Sequence, residues 1–294
     1  MNNVNKLIGH KDIFNNLIYL LNKKKLPKKI LLSGQKGIGK SLLVNKFLNE
    51  VYNKSESQLG FDELIKNNIH PNIFIISKND DKKNIDINQI RDMIKFLNHS
   101  SFNNKEKFVF IKNAENLNTN SANALLKSLE EPSDDTFFLL TYDSAKKIQD
   151  TLKSRCLEFK LILTNDEVKL IVDQFFNDNI YNQICEDYIS YYNSPSFLIS
   201  LVIHIKELKH ELHNFYIEDL LKETIKNKNY IKNSFIKDNL NFFIELYFYK
   251  NINKSNNLTN KLRNYFYIKF FEIKKFNLDL ESFFLEFEDK LLSE

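Results

Sequence analysis

The sequence predicts an α/β fold organised on a parallel sheet, followed by a second half built of helices alone. Three observations predict it. Short apolar runs alternate with helical apolar spacings through the first 160 residues, the signature of βαβ units. One of those runs leads directly into a glycine-rich octet, Gly34-Gln-Lys-Gly-Ile-Gly-Lys-Ser41, and a helical spacing leaves it. Beyond residue 163 the strand signal stops while the helical spacing continues.

The elements follow in order. Lys29-Ile-Leu-Leu-Ser33 reads as the first strand, and Val44, Phe47, Leu48 and Val51 set a helix over 42–51. Ile73-Phe-Ile-Ile76, entered through His70-Pro71, is the second strand; His70 reads as a turn residue. Residues 86–97 then repeat Ile87, Ile90, Ile94 and Leu97 in helical rhythm. Phe108-Val-Phe-Ile111 is the third strand. Ala122, Leu125, Leu126 and Leu129 share one face of a helix over 119–131, which Pro132 stops. Phe137-Phe-Leu-Leu-Thr141 and Glu158-Phe-Lys-Leu161 complete the strands. Helices are predicted over 165–176, where acidic residues in the first turn suit the dipole, and over 180–191 and 194–208. From about 210 the chain is helical and rich in Phe and Tyr, with an Asn/Lys-rich break over 251–257.

A chain of 294 residues suits two domains. Its 43% hydrophobic and 27% charged residues are ordinary for a globular protein. The net charge of +4 is spread over lysines in a chain that leans throughout toward Lys, Asn, Ile and Phe, so it makes no case for nucleic acid. Cys156 and Cys185 supply neither a disulfide framework nor zinc-ligand spacing, and a reducing cytoplasmic setting is the expectation. The opening Met-Asn-Asn-Val-Asn-Lys lacks the apolar region of a signal peptide. Residues 242–249, the greasiest late stretch, are too short to span a bilayer, so no membrane partner is expected.

The octet meets the pattern G-x-x-x-x-G-K-[S/T] at Gly34, Gly39, Lys40 and Ser41. Only five glycines occur in the chain, and Gly34, Gly37 and Gly39 fall together here, where the backbone needs them. Small residues let successive N–H groups turn inward on a β-phosphate at the positive end of the following helix. Lys40 would bridge β- and γ-phosphates, and Ser41 would offer its hydroxyl to Mg²⁺. ATP is therefore the expected cofactor. A hydrolysing P-loop enzyme also places an acid after the apolar strand to hold Mg²⁺. Here Lys112 and Asn113 follow Ile111. Lys112 sets a positive charge where the cation must sit, and Asn113 cannot take a proton from water. Mg²⁺ has a poor site, and hydrolysis is expected to be lost or severely reduced. Glu115 reads as solvated or as a helix start.

Ser121-Ala-Asn-Ala-Leu-Leu-Lys-Ser-Leu-Glu-Glu-Pro132 resembles the A-N-A-L-L-K-x-L-E-E-P helix of bacterial clamp-loader AAA+ subunits. Thr151-Leu-Lys-Ser-Arg-Cys156 resembles their T-x-x-S-R-C motif. With Ile8-Gly-His10, Leu26-Pro27 and His70-Pro71 in order, the resemblance covers residues 8–156 and points to the delta-prime kind of DNA polymerase III subunit. It implies an AAA+ core over 1–163, a helical lid over 164–208 and a helical collar for oligomerisation over 209–294.

The resemblance also implies a hetero-oligomer with gamma/tau and delta subunits that loads the sliding clamp on primed DNA. Arg155 would then be an arginine finger in trans for a neighbour's ATP site. Residues alone allow Arg155 to cap a helix or pair with a surface carboxylate. Cys156 reads as a packed core residue. Thr141 matches the sensor at the end of the fourth strand, and Phe197, in Asn193-Ser-Pro-Ser-Phe197, stands where the family carries a phosphate-sensing Arg. Related subunits often hold a zinc module where residues 53–68 here contain no cysteine, so no metal is expected. The competing expectation is an active ATPase motor of the gamma/tau kind. The Phe/Tyr stripes at 242–249 and 265–285 read as helix core or subunit packing.

Overall fold

The structure is a computed structural model describing residues 8–53, 70–79, 82–130, 135–191, 193–251, 257–276 and 278–292. Expectations for the N-terminal six residues, for the stretch from 54 to 68, for Glu131-Pro132 and for residues 252–256 lie outside the described residues. Two compact units divide the chain: residues 1–171 with 194–196, and residues 172–193 with 197–294.

In the first unit, α1 (Lys11–Asn22) precedes β1 (Lys29–Gly34), α2 (Lys40–Asn53) and β2 (Ile73–Ile76). After these come α3 (Ile87–Asn98), β3 (Lys107–Ile111), α4 (Thr119–Glu130), β4 (Thr136–Asp143), the one-turn α5 (Asp150–Lys153) and β5 (Leu157–Lys160). Among the described residues the strands form one parallel sheet in the order β2-β3-β4-β1-β5. β3 and β4 are buried along their whole length, which explains continuous apolar runs in place of alternation. Val109, Ile111, Phe138 and Leu140 face a core completed by Ile90 and Met93 of α3 and Leu125 and Leu129 of α4. On the opposite face Phe108 meets Phe47 and Tyr52 of α2 edge-on, with ring centroids 5.8 and 6.1 Å apart.

Local chemistry sets the ends of these elements. Asp86 caps α3, accepting from the Asn88 amide at 3.0 Å, while Gln89 reaches back to accept from the Asp86 amide at 3.0 Å. The opposite end of α3 is closed by Lys107, whose ammonium donates to the carbonyls of Phe96 and His99, each at 2.6 Å. A buried lysine is tolerated there because the helix C-terminus carries partial negative charge.

The second unit is helical. α6 (Asn165–Phe176) begins in the first unit and passes into the second at Val172; α7 (Glu186–Ile189) is followed by α8 (Pro195–Glu207), whose first two residues belong to the first unit, and then by α9 (Ile217–Lys226), α10 (Asn229–Lys232), α11 (Ser234–Asn251), α12 (Asn257–Phe276) and α13 (Leu280–Phe287). Phe243 and Phe248 of α11, Phe266 of α12 and Phe283, Phe284 and Phe287 of α13 form its fully buried aromatic core. The helix expected over 180–191 is instead a short 3-10 turn and the single turn of α7. The Cys185 amide donates to Leu212 O at 3.1 Å, a bond a continuous helix would need for its own ladder. No described helix is long and apolar enough to cross a membrane.

Candidate functional site

β1 lies between β4 and the edge strand β5, and the crossover that leaves it runs past β4 and β3 to β2. The loop leaving its carboxyl end therefore lies at the topological switch point, where open α/β sheets bind ligands. Gly37 and Gly39 in that loop have φ of 88° and 97°, a region closed to side-chain-bearing residues at reasonable energy. The turn they allow delivers Lys40 and Ser41 into the first turn of α2. A Cβ on Gly37 would stand 2.6 Å from Ser194 Oγ and 2.7 Å from Ser196 Cβ, while one on Gly39 would meet nothing within 4 Å. The Ser196 amide donates to Gly37 O at 3.4 Å. Residues 194–196 thus lie against one side of the loop and leave Gly39 open.

Lys40 is 7% exposed, and its ammonium donates to Gly34 O at 2.7 Å and Gln35 O at 2.8 Å. Burial lowers its pKa below the ordinary lysine value, opposed by the negative charges of Asp143 and Glu115. Sequence reasoning missed Asp143, and it missed the bearing of Glu115 on Lys40. Asp143 ends β4 in register with Gly34 and is 8% exposed. Of the two readings of Glu115 the helix start holds, since it lies in the first turn of a 3-10 helix over Ala114–Asn116, and the solvated one does not. Its side chain is 4% exposed, accepts from the Asp143 amide at 3.2 Å and lies 3.7 Å from the Lys146 ammonium. A carboxyl group two residues beyond Thr141, at the mouth of a central strand, was the available signal for Asp143.

The positions after β3 carry no carboxylate. Lys112 is half-buried, and its ammonium lies 5.6 Å from the Phe110 ring centroid; burial alone lowers its pKa. Asn113 is exposed with φ of 56°, and its amide donates to Thr141 Oγ1 at 3.0 Å. Thr141 is fully buried in β4 beside Leu32. These residues do not fit a magnesium ion. The two acids nearby are committed elsewhere, Glu115 to the Asp143 amide and Asp143 Oδ1 to the Ala145 amide at 3.1 Å. Among the described residues no group of three or more His, Cys, Asp or Glu could hold a metal ion. The glycine cradle and Lys40 do fit a polyphosphate.

Ile8-Gly-His10 proves to be part of the same site. His10 Nε2 lies 3.0 Å from Ile38 O; a carbonyl only accepts, so Nε2 carries the proton. Burial is the leading cause that lowers the His10 pKa and keeps the ring neutral. Beside it opens a cavity of about 500 Å³ lined by Ile8, Gly9, Ile13, Ile162 and Leu170 together with the charged Lys11, Asp12, Lys160 and Glu167. Phe197 packs among Phe235, Phe242 and Phe243 in the second unit.

Arg155 follows α5. Its guanidinium donates to Glu130 Oε1 at 2.9 Å and to Thr151 O at 3.1 Å. The carboxylate partner that the residues alone allowed is therefore present. Cys156 packs against the sheet core, and burial pushes its thiol up to about 11.

Residues 9–164 match the family described as DNA polymerase III, delta subunit. The DNA polymerase III subunit delta' of Pseudomonas aeruginosa is 34% identical over 134 residues, 44% of this chain and 41% of the relative. That of Haemophilus influenzae is 31% identical over 47% of this chain and 44% of its own length, so the chain spans less than half of these relatives. A delta' subunit of Buchnera aphidicola from Schizaphis graminum is 30% identical over 74% of this chain and 67% of the relative. Among solved structures, a DNA polymerase III gamma subunit-related protein of Thermotoga maritima superposes with a TM-score of 0.51 at 16% identity. It covers 92% of this chain and 96% of that one, a likeness of fold.

Proposed function

Because the chain belongs to the DNA polymerase III delta-prime family of AAA+ clamp-loader subunits, we propose that it binds ATP without hydrolysing it and lends Arg155 to a neighbouring ATP site. In this reading it works in the cytoplasm within a hetero-oligomer containing gamma/tau and delta subunits. The assembly places the sliding clamp on primed DNA.

The observation that carries the reading is the contrast within one site. The phosphate cradle is intact, with Gly34, Gly37 and Gly39 turning the loop and Lys40 and Ser41 at the head of α2. Two strands away, across β4, the end of β3 offers Lys112 and Asn113 in place of acids. Entering phosphates would replace the Gly34 and Gln35 carbonyls as partners of Lys40, Thr141 would back the γ-phosphate, and the cavity beside His10 has the walls for a nucleobase. ATP, when bound, would supply the polyphosphate that the loop holds; the chain's own residues here only bind and orient it.

Assembly has support of its own. α12 buries Phe266, Phe270 and Ile273 on one face, yet Tyr265, Ile268 and Phe271 stand 43%, 61% and 66% exposed on another. Apolar side chains standing among charges on the outer face of a helix are a surface that a partner helix can cover.

The test is ATP handling by the purified chain. Binding of a fluorescent ATP analogue, abolished by Lys40→Ala, with no turnover above background is the expected result. Turnover that Lys40→Ala removes would overturn the non-hydrolysing reading and favour a motor subunit. Co-purification with gamma/tau and delta chains tests the assembly.

A further inference from the structure

The main chain around Arg155 is anchored on both sides. Leu152 is 1% exposed and Cys156 packs on the same core. The Arg155 amide donates to Leu152 O at 3.3 Å, and the Ser154 amide to Asp150 O at 2.8 Å. The side chain nonetheless reaches outward and is 36% exposed. What remains to be set is the direction of the guanidinium.

Two acceptors set it. Thr151 O belongs to α5 and moves with Arg155. Glu130 Oε1 belongs to a separate element, the last residue of α4. Glu130 is 55% exposed, and an ion pair this open adds little to stability. Its place is locally unfavourable too, because a carboxylate at a helix C-terminus meets the negative end of the dipole. The pair's consequence is orientation. A planar fork of five donors, with one bond taken at each terminal nitrogen, holds the remaining donors in a fixed plane.

We propose that Glu130 is a positioning residue for Arg155, holding the guanidinium so that its remaining donors face the γ-phosphate of a nucleotide bound by an adjacent subunit. The proposal rests on Arg155 acting in trans. It assigns to Glu130 no contact with the nucleotide, only control of the group that makes one.

The experiment uses the full assembly, with clamp and primed DNA, and reads steady-state ATPase. Arg155→Ala, Glu130→Ala, Glu130→Gln and the Arg155→Ala/Glu130→Ala pair are compared after co-elution confirms assembly. Glu130→Ala is expected to lower kcat by about 10- to 100-fold, the penalty of a misaimed group, with KM unchanged. Glu130→Gln keeps an acceptor oxygen and should recover most of the rate. Glu130→Ala should change nothing further once Arg155 is Ala. A slow Arg155→Ala beside an unaffected or faster Glu130→Ala overturns the positioning role alone. An unaffected Arg155→Ala overturns the finger reading and this proposal with it. A matching fall in the Arg155→Ala background also overturns it, because Glu130 would then act by another route.

Discussion

His10→Ala should loosen the phosphate loop without unfolding the chain. The substitution removes the Nε2–H that serves Ile38 O at 3.0 Å, and both residues are buried, at 9% and 3% exposure. Stranding a buried carbonyl costs about 1–3 kcal/mol, which raises the local opening equilibrium roughly 5- to 150-fold. Native-state amide exchange of residues 34–41 is the assay, since a chain of two units does not give one unfolding free energy. His10→Gln, which can still donate, should recover part of the protection. Lowering the pH should act in the same direction. Burial first pushes the His10 pKa down, the Ile38 carbonyl and Glu167 oppose, and the Lys40 charge adds to the lowering. A group whose folded pKa is depressed contributes stability that is present above its unfolded value of 6.5. That contribution is lost as pH falls from there through the lower folded value. His204 shifts the same way in the other unit, so only the local measurement isolates His10. Unchanged exchange in the loop of the His10→Ala protein would refute the reasoning.

Two further outcomes are expected. Gly39→Ala, at φ of 97° with open space around the new methyl, should cost only backbone strain, about 1–3 kcal/mol of loop opening free energy. Gly37→Ala should cost more, because its methyl also runs into Ser194 and Ser196; equal costs measured by the same exchange experiment would show that this contact is not formed. Cys156, with its pKa pushed up to about 11 by burial, should react with a thiol reagent far more slowly at pH 8 than the unfolded chain does, and an equal rate would count against its packing.

The sheet was legible because burial wrote itself into composition. β3 and β4 are covered on both faces, so Phe108–Ile111 and Phe137–Leu140 are apolar without interruption, and the spacing of Ile87, Ile90, Ile94 and Leu97 marked α3. The loop was legible because glycine is rare in this chain. What stayed hidden depends on contacts between residues distant in sequence. His10 and Ile38 are 28 residues apart, and so are Glu115 and Asp143. No local pattern reports either pairing. The break between residues 180 and 189 was invisible for the same reason: Leu212 takes the Cys185 amide from outside any window in which periodicity is read.

Those hidden contacts change what the site means. Read along the chain, Lys112 and Asn113 leave no acid where one was expected after the third strand. In space Lys112 is drawn to the Phe110 ring, and it is Asp143 and Glu115 whose charges bear on Lys40. Negative charge has thus been kept near the loop but moved away from the end of β3. Both carboxylates are bonded to backbone amides, which holds them as fixtures of the β4 exit. Their field partly offsets the desolvation of Lys40 when the loop is empty, and it opposes the approach of phosphate. The empty loop therefore has its lysine already partnered, by the Gly34 and Gln35 carbonyls and by this field, and a phosphate must compete with both.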